Sequence, residues 1–100
     1  MTAITLYTIT DPRTGKPFYV GISGKMMNRE RAHNSLDCVS TRQIIREIHE
    51  NGLWPIFDYV ASFSERWRAI RAETALMRKL HSDGFVLRNL GYRSEPPLPD

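Results

Sequence analysis

The chain has 100 residues, a formal net charge of +3 and 41% hydrophobic residues, which allows one domain with one small core and excludes two. No apolar run nears the roughly 20 residues that span a bilayer, and the opening MTAITLYTIT lacks the basic start and cleavage site of a secretory signal, so a cytoplasmic chain with no membrane partner is expected. Cys38 is the single cysteine, which excludes an intrachain disulfide and a cysteine metal cluster.

Residues 3–10, AITLYTIT, alternate with period two and predict a strand, with Ile4 and Leu6 on one face and Tyr7 and Ile9 on the other. DPRTGKP follows as a turn, and residues 18–23 alternate again, so the first two strands form an antiparallel hairpin. Residues 25–34 read as a short helix. The run STRQ fits a capping box, with Ser40 as cap and Gln43 three residues on. Behind it Ile44, Ile45 and Ile48 make a helical stripe that Gly52 stops. IFDYVASF, residues 56–63, is a third strand behind Pro55. Ser64 is placed to cap a long helix over 65–81 that Gly84 ends.

The order strand, strand, helix, helix, strand, helix predicts an α+β fold: a small three-stranded antiparallel sheet flanked by helices. Residues 1–93 form the single domain. Residues 94–100, SEPPLPD, are a Pro-rich tail expected to be flexible.

Three features depart from plain core patterning, and such departures concentrate at functional sites. If Ile4, Leu6, Phe18, Val20 and Ile22 form the buried face of the hairpin, Tyr7 and Tyr19 share the opposite face. An ordinary cross-strand aromatic pair is the simpler explanation of the two, but Gly21 beside them marks a bulge or a close approach. Next, Arg29 and His33 stand four apart and share a helical face with Met26, which is either a solvated basic face or a pair aimed at the tyrosines. The sharpest departure is Glu73. Trp67, Ile70, Met77 and Leu80 form the apolar stripe of the last helix, and Glu73 falls between Met77 and Leu80 in angle. An acid there needs a buried ion pair with an arginine or a bound cation, and a lone carboxylate suits Mg²⁺, which keeps most of its waters. Of the 14 basic residues only Lys16, Lys25 and Lys79 are lysines; genomic base composition accounts for such a bias, and so does a phosphate partner.

In this arrangement the sequence resembles the GIY-YIG endonuclease family, from about Ile4 to Asn89. TLY, residues 5–7, stands at the first motif, with Thr5 in place of its glycine and Leu6 in place of its isoleucine, and YVG, residues 19–21, stands at the second. Arg29 and His33 match the family's helix with an arginine and a histidine one turn on. Glu73 in RAETALMRKL matches its helical glutamate, and Asn89 in VLRNLG its following asparagine. The resemblance implies an Mg²⁺- or Mn²⁺-dependent phosphodiesterase acting on DNA. Tyr7 would help deprotonate the attacking water, assisted by His33, and Tyr19 would hold the phosphate or the water. Arg29 would neutralise phosphoryl charge and Glu73 would hold the metal. Tyr19 and Gly21 would form a wall that lets a phosphate approach, with Gly21, Lys25 and Asn89 as phosphate-binding positions. One site per chain implies nicking of a single strand or a homodimer on DNA. Two rival readings remain: a nucleic-acid-binding module without turnover, using arginines 42, 46, 66, 68, 71 and 78, and an interaction domain anchored by Trp54, Tyr59 and Trp67.

Overall fold

The computed structural model describes residues 3–88; Asn89 and the Pro-rich tail lie outside the described residues. Strands β1 (Ile4–Asp11), β2 (Lys16–Ser23) and β3 (Ile56–Phe63) and helices α1 (Met26–Asn34), α2 (Arg42–Glu50) and α3 (Arg66–Ser82) follow in the expected order β-β-α-α-β-α. The sheet is antiparallel with strand order β2-β1-β3, so the fold is α+β. The hairpin turn closes where the Thr14 and Gly15 amides donate to the Asp11 carbonyl at 3.2 and 2.8 Å. Gly15 there takes φ 74, a value that only glycine adopts without strain. The Asp11 carboxylate accepts from the Arg13 amide and guanidinium at 2.8 Å each, which holds its pKa below the usual carboxylate range.

Both faces of the sheet are packed. Leu6, Val20 and Ile22 meet Ala69 and Met77 of α3, together with Leu87. Tyr7, Ile9 and Phe18 meet Ile44, Ile45 and Ile48 of α2, with Met26 of α1 and Phe57 at the margin. The alternation predicted for β2 therefore fails at one residue. Phe18 belongs to the face of Tyr7, not to that of Val20. The pairing steps from Ile9–Tyr19 to Thr10–Pro17, so Phe18 is the extra residue of a β-bulge, and a bulge resets which face the following side chains occupy. A second bulge lies opposite Leu6 and Tyr7, where Val60 is skipped on β3.

Two helix starts also differ from expectation. The residue before α2 is Thr41, not Ser40, and its side chain makes no capping bond; its hydroxyl is engaged by His33 and the Cys38 carbonyl instead. α3 begins after Glu65 in extended conformation, again without a side-chain cap. The Glu65 carboxylate instead accepts from Trp67 Nε1 at 2.6 Å and pairs with Arg68 at 3.3 Å. Among the described residues no helix is long and apolar enough to cross a membrane.

Candidate active site

β1 is the central strand, so Tyr7 in its middle sits where the second packed face is deepest. Pairing sets Tyr7 opposite Gly21 and Ile9 opposite Tyr19, which makes the two tyrosines diagonal neighbours on one face. Their ring centroids are 6.1 Å apart. The glycine makes this approach feasible. A β-carbon on residue 21 would lie 2.6 Å from the Tyr7 hydroxyl oxygen, 2.7 Å from its Cζ and 2.9 Å from Tyr19 Cε2. The space above Gly21 is thus occupied by the phenols themselves, which is a different use of the glycine from the phosphate approach expected from the sequence.

α1 brings His33 onto the same cluster. Its ring lies edge-on to Tyr19 at 5.0 Å and to Tyr7 at 6.1 Å, with Phe57 of β3 closing the far side at 5.9 Å. His33 Nε2 is 3.0 Å from the Tyr7 hydroxyl and Nδ1 is 2.8 Å from Thr41 Oγ1. The Thr41 hydroxyl donates to the Cys38 carbonyl at 3.5 Å. A hydroxyl that gives its proton away accepts from its other neighbour, so we assign the proton to His33 Nδ1 and leave Nε2 as the acceptor for the Tyr7 O–H. The result is a one-way chain, Tyr7 to His33 to Thr41 to the Cys38 carbonyl.

This chain is dry. Tyr7 is 1% exposed and His33 and Thr41 are 0% exposed. Burial pushes the Tyr7 phenol far above the ordinary range, and the neighbouring Tyr19 adds to the rise; the Arg29 guanidinium opposes it but is outweighed. Burial, with the Arg29 charge second, holds His33 down at about 4, so its ring is neutral at pH 7. Desolvation therefore outweighs the nearby cation in setting the Tyr7 pKa. A free Tyr7 phenolate is disfavoured, and any proton must leave Tyr7 as another arrives. Tyr19, half-buried, is also raised, by burial first, then by Cys38 and Glu73, while Arg29 and a hydrogen bond from Ser40 lower it.

Arg29 is exposed, one turn before His33 on α1. It lines a basic groove of about 330 Å³ with Ser23, Lys25, Asn28 and Ala32, and its charge acts on both tyrosines. Ser23 Oγ accepts from the Lys25 amide at 3.0 Å and fixes the turn from β2 into α1. Glu73 arrives from α3, whose Ala69 and Met77 pack on the other face of the sheet, so the acid does not spring from the same side as the phenols. It is 1% exposed and close enough for its charge to raise the Tyr19 pKa. Among the described residues no group of three or more His, Cys, Asp or Glu side chains is placed to hold a metal ion. A single carboxylate is the donor type of a hard cation such as Mg²⁺ rather than of zinc; Glu73 has that donor chemistry but, at 1% exposed, is shut off in this conformation from the waters such an ion keeps.

Thr41, Ser40, Cys38, Phe57, Ser23 and Asn28 join the site without having been assigned to it from the sequence. Thr41 left one trace: it sits inside STRQ, where the capping pattern drew attention to Ser40 instead. Compared with known families, with curated proteins and with solved structures, the chain finds no match.

Proposed function

We propose that this chain is a metal-dependent DNA endonuclease of the GIY-YIG type, hydrolysing phosphodiester bonds. The observation that carries the reading is the buried Tyr7–His33–Thr41 relay set beside the basic Arg29 groove. A water proton passes to the Tyr7 oxygen while the Tyr7 proton passes to His33 Nε2, so neither a phenolate nor a hydroxide is formed alone in the dry site. Thr41 holds the tautomer that keeps Nε2 open. The imidazolium so formed is a strong acid in this surrounding and returns its proton readily, which makes His33 a shuttle rather than a store. Tyr19 orients the phosphate or the water by its hydroxyl. Arg29, with Lys25 behind it, meets the charge that grows on the phosphoryl oxygens. When bound at Glu73, Mg²⁺ or Mn²⁺ supplies positive charge to the leaving oxygen. Cytoplasmic residence, and action either as a nicking monomer or as a homodimer on DNA, belong to the same reading; native mass with and without DNA separates the last two.

The test is supercoiled plasmid incubated with Mg²⁺ or with EDTA. Nicked or linear product with the metal and none with EDTA supports the reading. A pure chain that cuts neither plasmid nor branched nor single-stranded DNA overturns it. One observation favours a second reading, DNA binding without turnover: Tyr7 and His33 are so deeply buried that solvent does not reach them in this conformation. In that case Glu73→Ala leaves DNA affinity intact and there is no cutting to lose.

A further inference from the structure

The helix that carries His33 is held down in a different way from the other two. α2 buries Ile44, Ile45 and Ile48, and α3 packs Ala69 and Met77 against the sheet. α1 buries one residue, and that residue is His33. Its apolar side chains add little. Met26 and Ala32 are half-buried, and Met27 is 71% exposed. The ties of α1 are polar instead. His33 meets Tyr7 and Thr41. The Tyr59 hydroxyl of β3 donates to the Glu30 carboxylate, and His49 Nε2 of α2 is 3.2 Å from Asn34 Oδ1.

Elements with few buried apolar contacts are the ones that open locally, at less cost than global unfolding. A hydrogen bond broken near the surface is replaced by bonds to water, so its net loss is small. A buried isoleucine that is lifted into water has no such replacement. Lifting α1 therefore costs less than lifting α2 or α3. The two joints of the helix agree with this. Ahead of α1, Gly24 is exposed, and the Lys25 amide donates to Ser23 Oγ at 3.0 Å. Behind it, Leu36 takes φ 66, in the left-handed region that a bulky side chain enters only under strain. The Leu36 amide donates to the His33 carbonyl at 3.1 Å and the Asp37 amide to the Ala32 carbonyl at 3.0 Å, closing a helix end at which glycine is the usual residue. Arg42 Nε donates to the Leu36 carbonyl at 2.7 Å, which fixes the far side of this joint to α2. Strain held at a joint lowers the cost of turning it.

We propose that α1 is a gate over the Tyr7–His33 relay, latched by Glu30–Tyr59 and Asn34–His49 and turning at Gly24 and Leu36. Opening it admits water to the Tyr7 hydroxyl and to His33 Nε2, which the closed chain excludes. Closing it reassembles the relay and carries Arg29 back beside the tyrosines. This deepens the endonuclease reading, and the purpose of the gate rests on it; the motion itself is measured without any cutting.

The test uses the full chain at pH 7 in EDTA. Diethyl pyrocarbonate acylates neutral imidazole, and His33 is neutral there. At less than one modification per chain, peptide mass mapping gives the rate at His33 relative to exposed His81. Under a gate that ratio stays nearly flat in urea below the unfolding transition, because local opening exposes little surface. Tyr59→Phe, at a position 57% exposed, removes one latch and should raise the ratio about tenfold. Ile22→Val loosens the core on the far face of the sheet, which lowers the urea midpoint but should leave the ratio unchanged, since the open and closed forms share that core. The gate is overturned if His33 reacts only as the chain unfolds, if its rate rises with Ile22→Val in step with global unfolding, or if Tyr59→Phe leaves it unchanged. The two readings fail separately. A gated His33 in a chain that cuts no DNA under Mg²⁺ sinks the nuclease alone, and a cutting chain whose His33 reacts only on unfolding sinks the gate alone.

Discussion

The Tyr7 phenol lies over Gly21 so closely that a β-carbon at 21 would stand 2.6 Å from its hydroxyl oxygen. The ring cannot swing away, because it is buried and its hydroxyl is held by His33. Gly21→Ala is therefore an overpacking substitution, expected to destabilise the fold by about 1–3 kcal/mol in urea unfolding. An unchanged midpoint would mean that the strand shifts freely, against the tight pairing of β1 with β2.

His33 predicts an acid-sensitive fold. Its pKa in the folded chain, about 4, lies below the ordinary 6.5, so between those values the unfolded chain binds more protons. Stability rises with pH across that window: it is fully present above about 6.5 and is lost as pH falls toward 4. From the size of the depression the effect is on the order of 3 kcal/mol. Unfolding at pH 7 and at pH 4.5 measures it, and His33→Gln should remove most of the difference. Asp11, whose pKa is lowered, contributes its own loss only at more acid pH.

Thr41 tests the relay without touching substrate. Thr41→Val keeps the volume and removes the acceptor for His33 Nδ1–H, stranding a buried donor at about 1–3 kcal/mol. If the tautomer matters, nitrogen NMR of His33 shifts toward the other form, and cutting slows about tenfold. Thr41→Ser should restore both. Loss of stability with an unchanged tautomer would make Thr41 structural only.

Three site variants separate chemistry from binding. Tyr7→Phe, Arg29→Ala and Glu73→Ala should each abolish or sharply reduce plasmid cutting. Loss of a charge-stabilising donor such as Arg29 costs about a hundredfold to a thousandfold. Tyr7→Phe and Glu73→Ala should keep most affinity for DNA in a gel-shift assay with EDTA. If all three cut like the parent, the residues are wrongly assigned.

Alternation with period two and the isoleucine stripe of α2 are local signals, and they suffice for the order of elements and the α+β class. The burial of Glu73 was legible for the same reason, since its angle on α3 follows from spacing alone. That Tyr7 and Tyr19 share a face was legible too, although the β-bulge at Phe18 was not: which neighbour a residue skips depends on the partner strand. Thr41 was hidden because a local capping pattern offered a plausible use for the residue beside it.

What the sequence by itself determined is the set of elements, the chemical types held in them and the acid in an apolar stripe, because propensity and periodicity act within a few residues. Only the tertiary structure decided that the space over Gly21 is filled by a phenol and that the acid acts on Tyr19 from the helix on the far face. It also decided that burial outweighs the arginine in setting the protonation of Tyr7 and His33. Those outcomes depend on how much water is removed by chains that are distant in sequence, and desolvation is a property of the packed molecule, not of any local stretch.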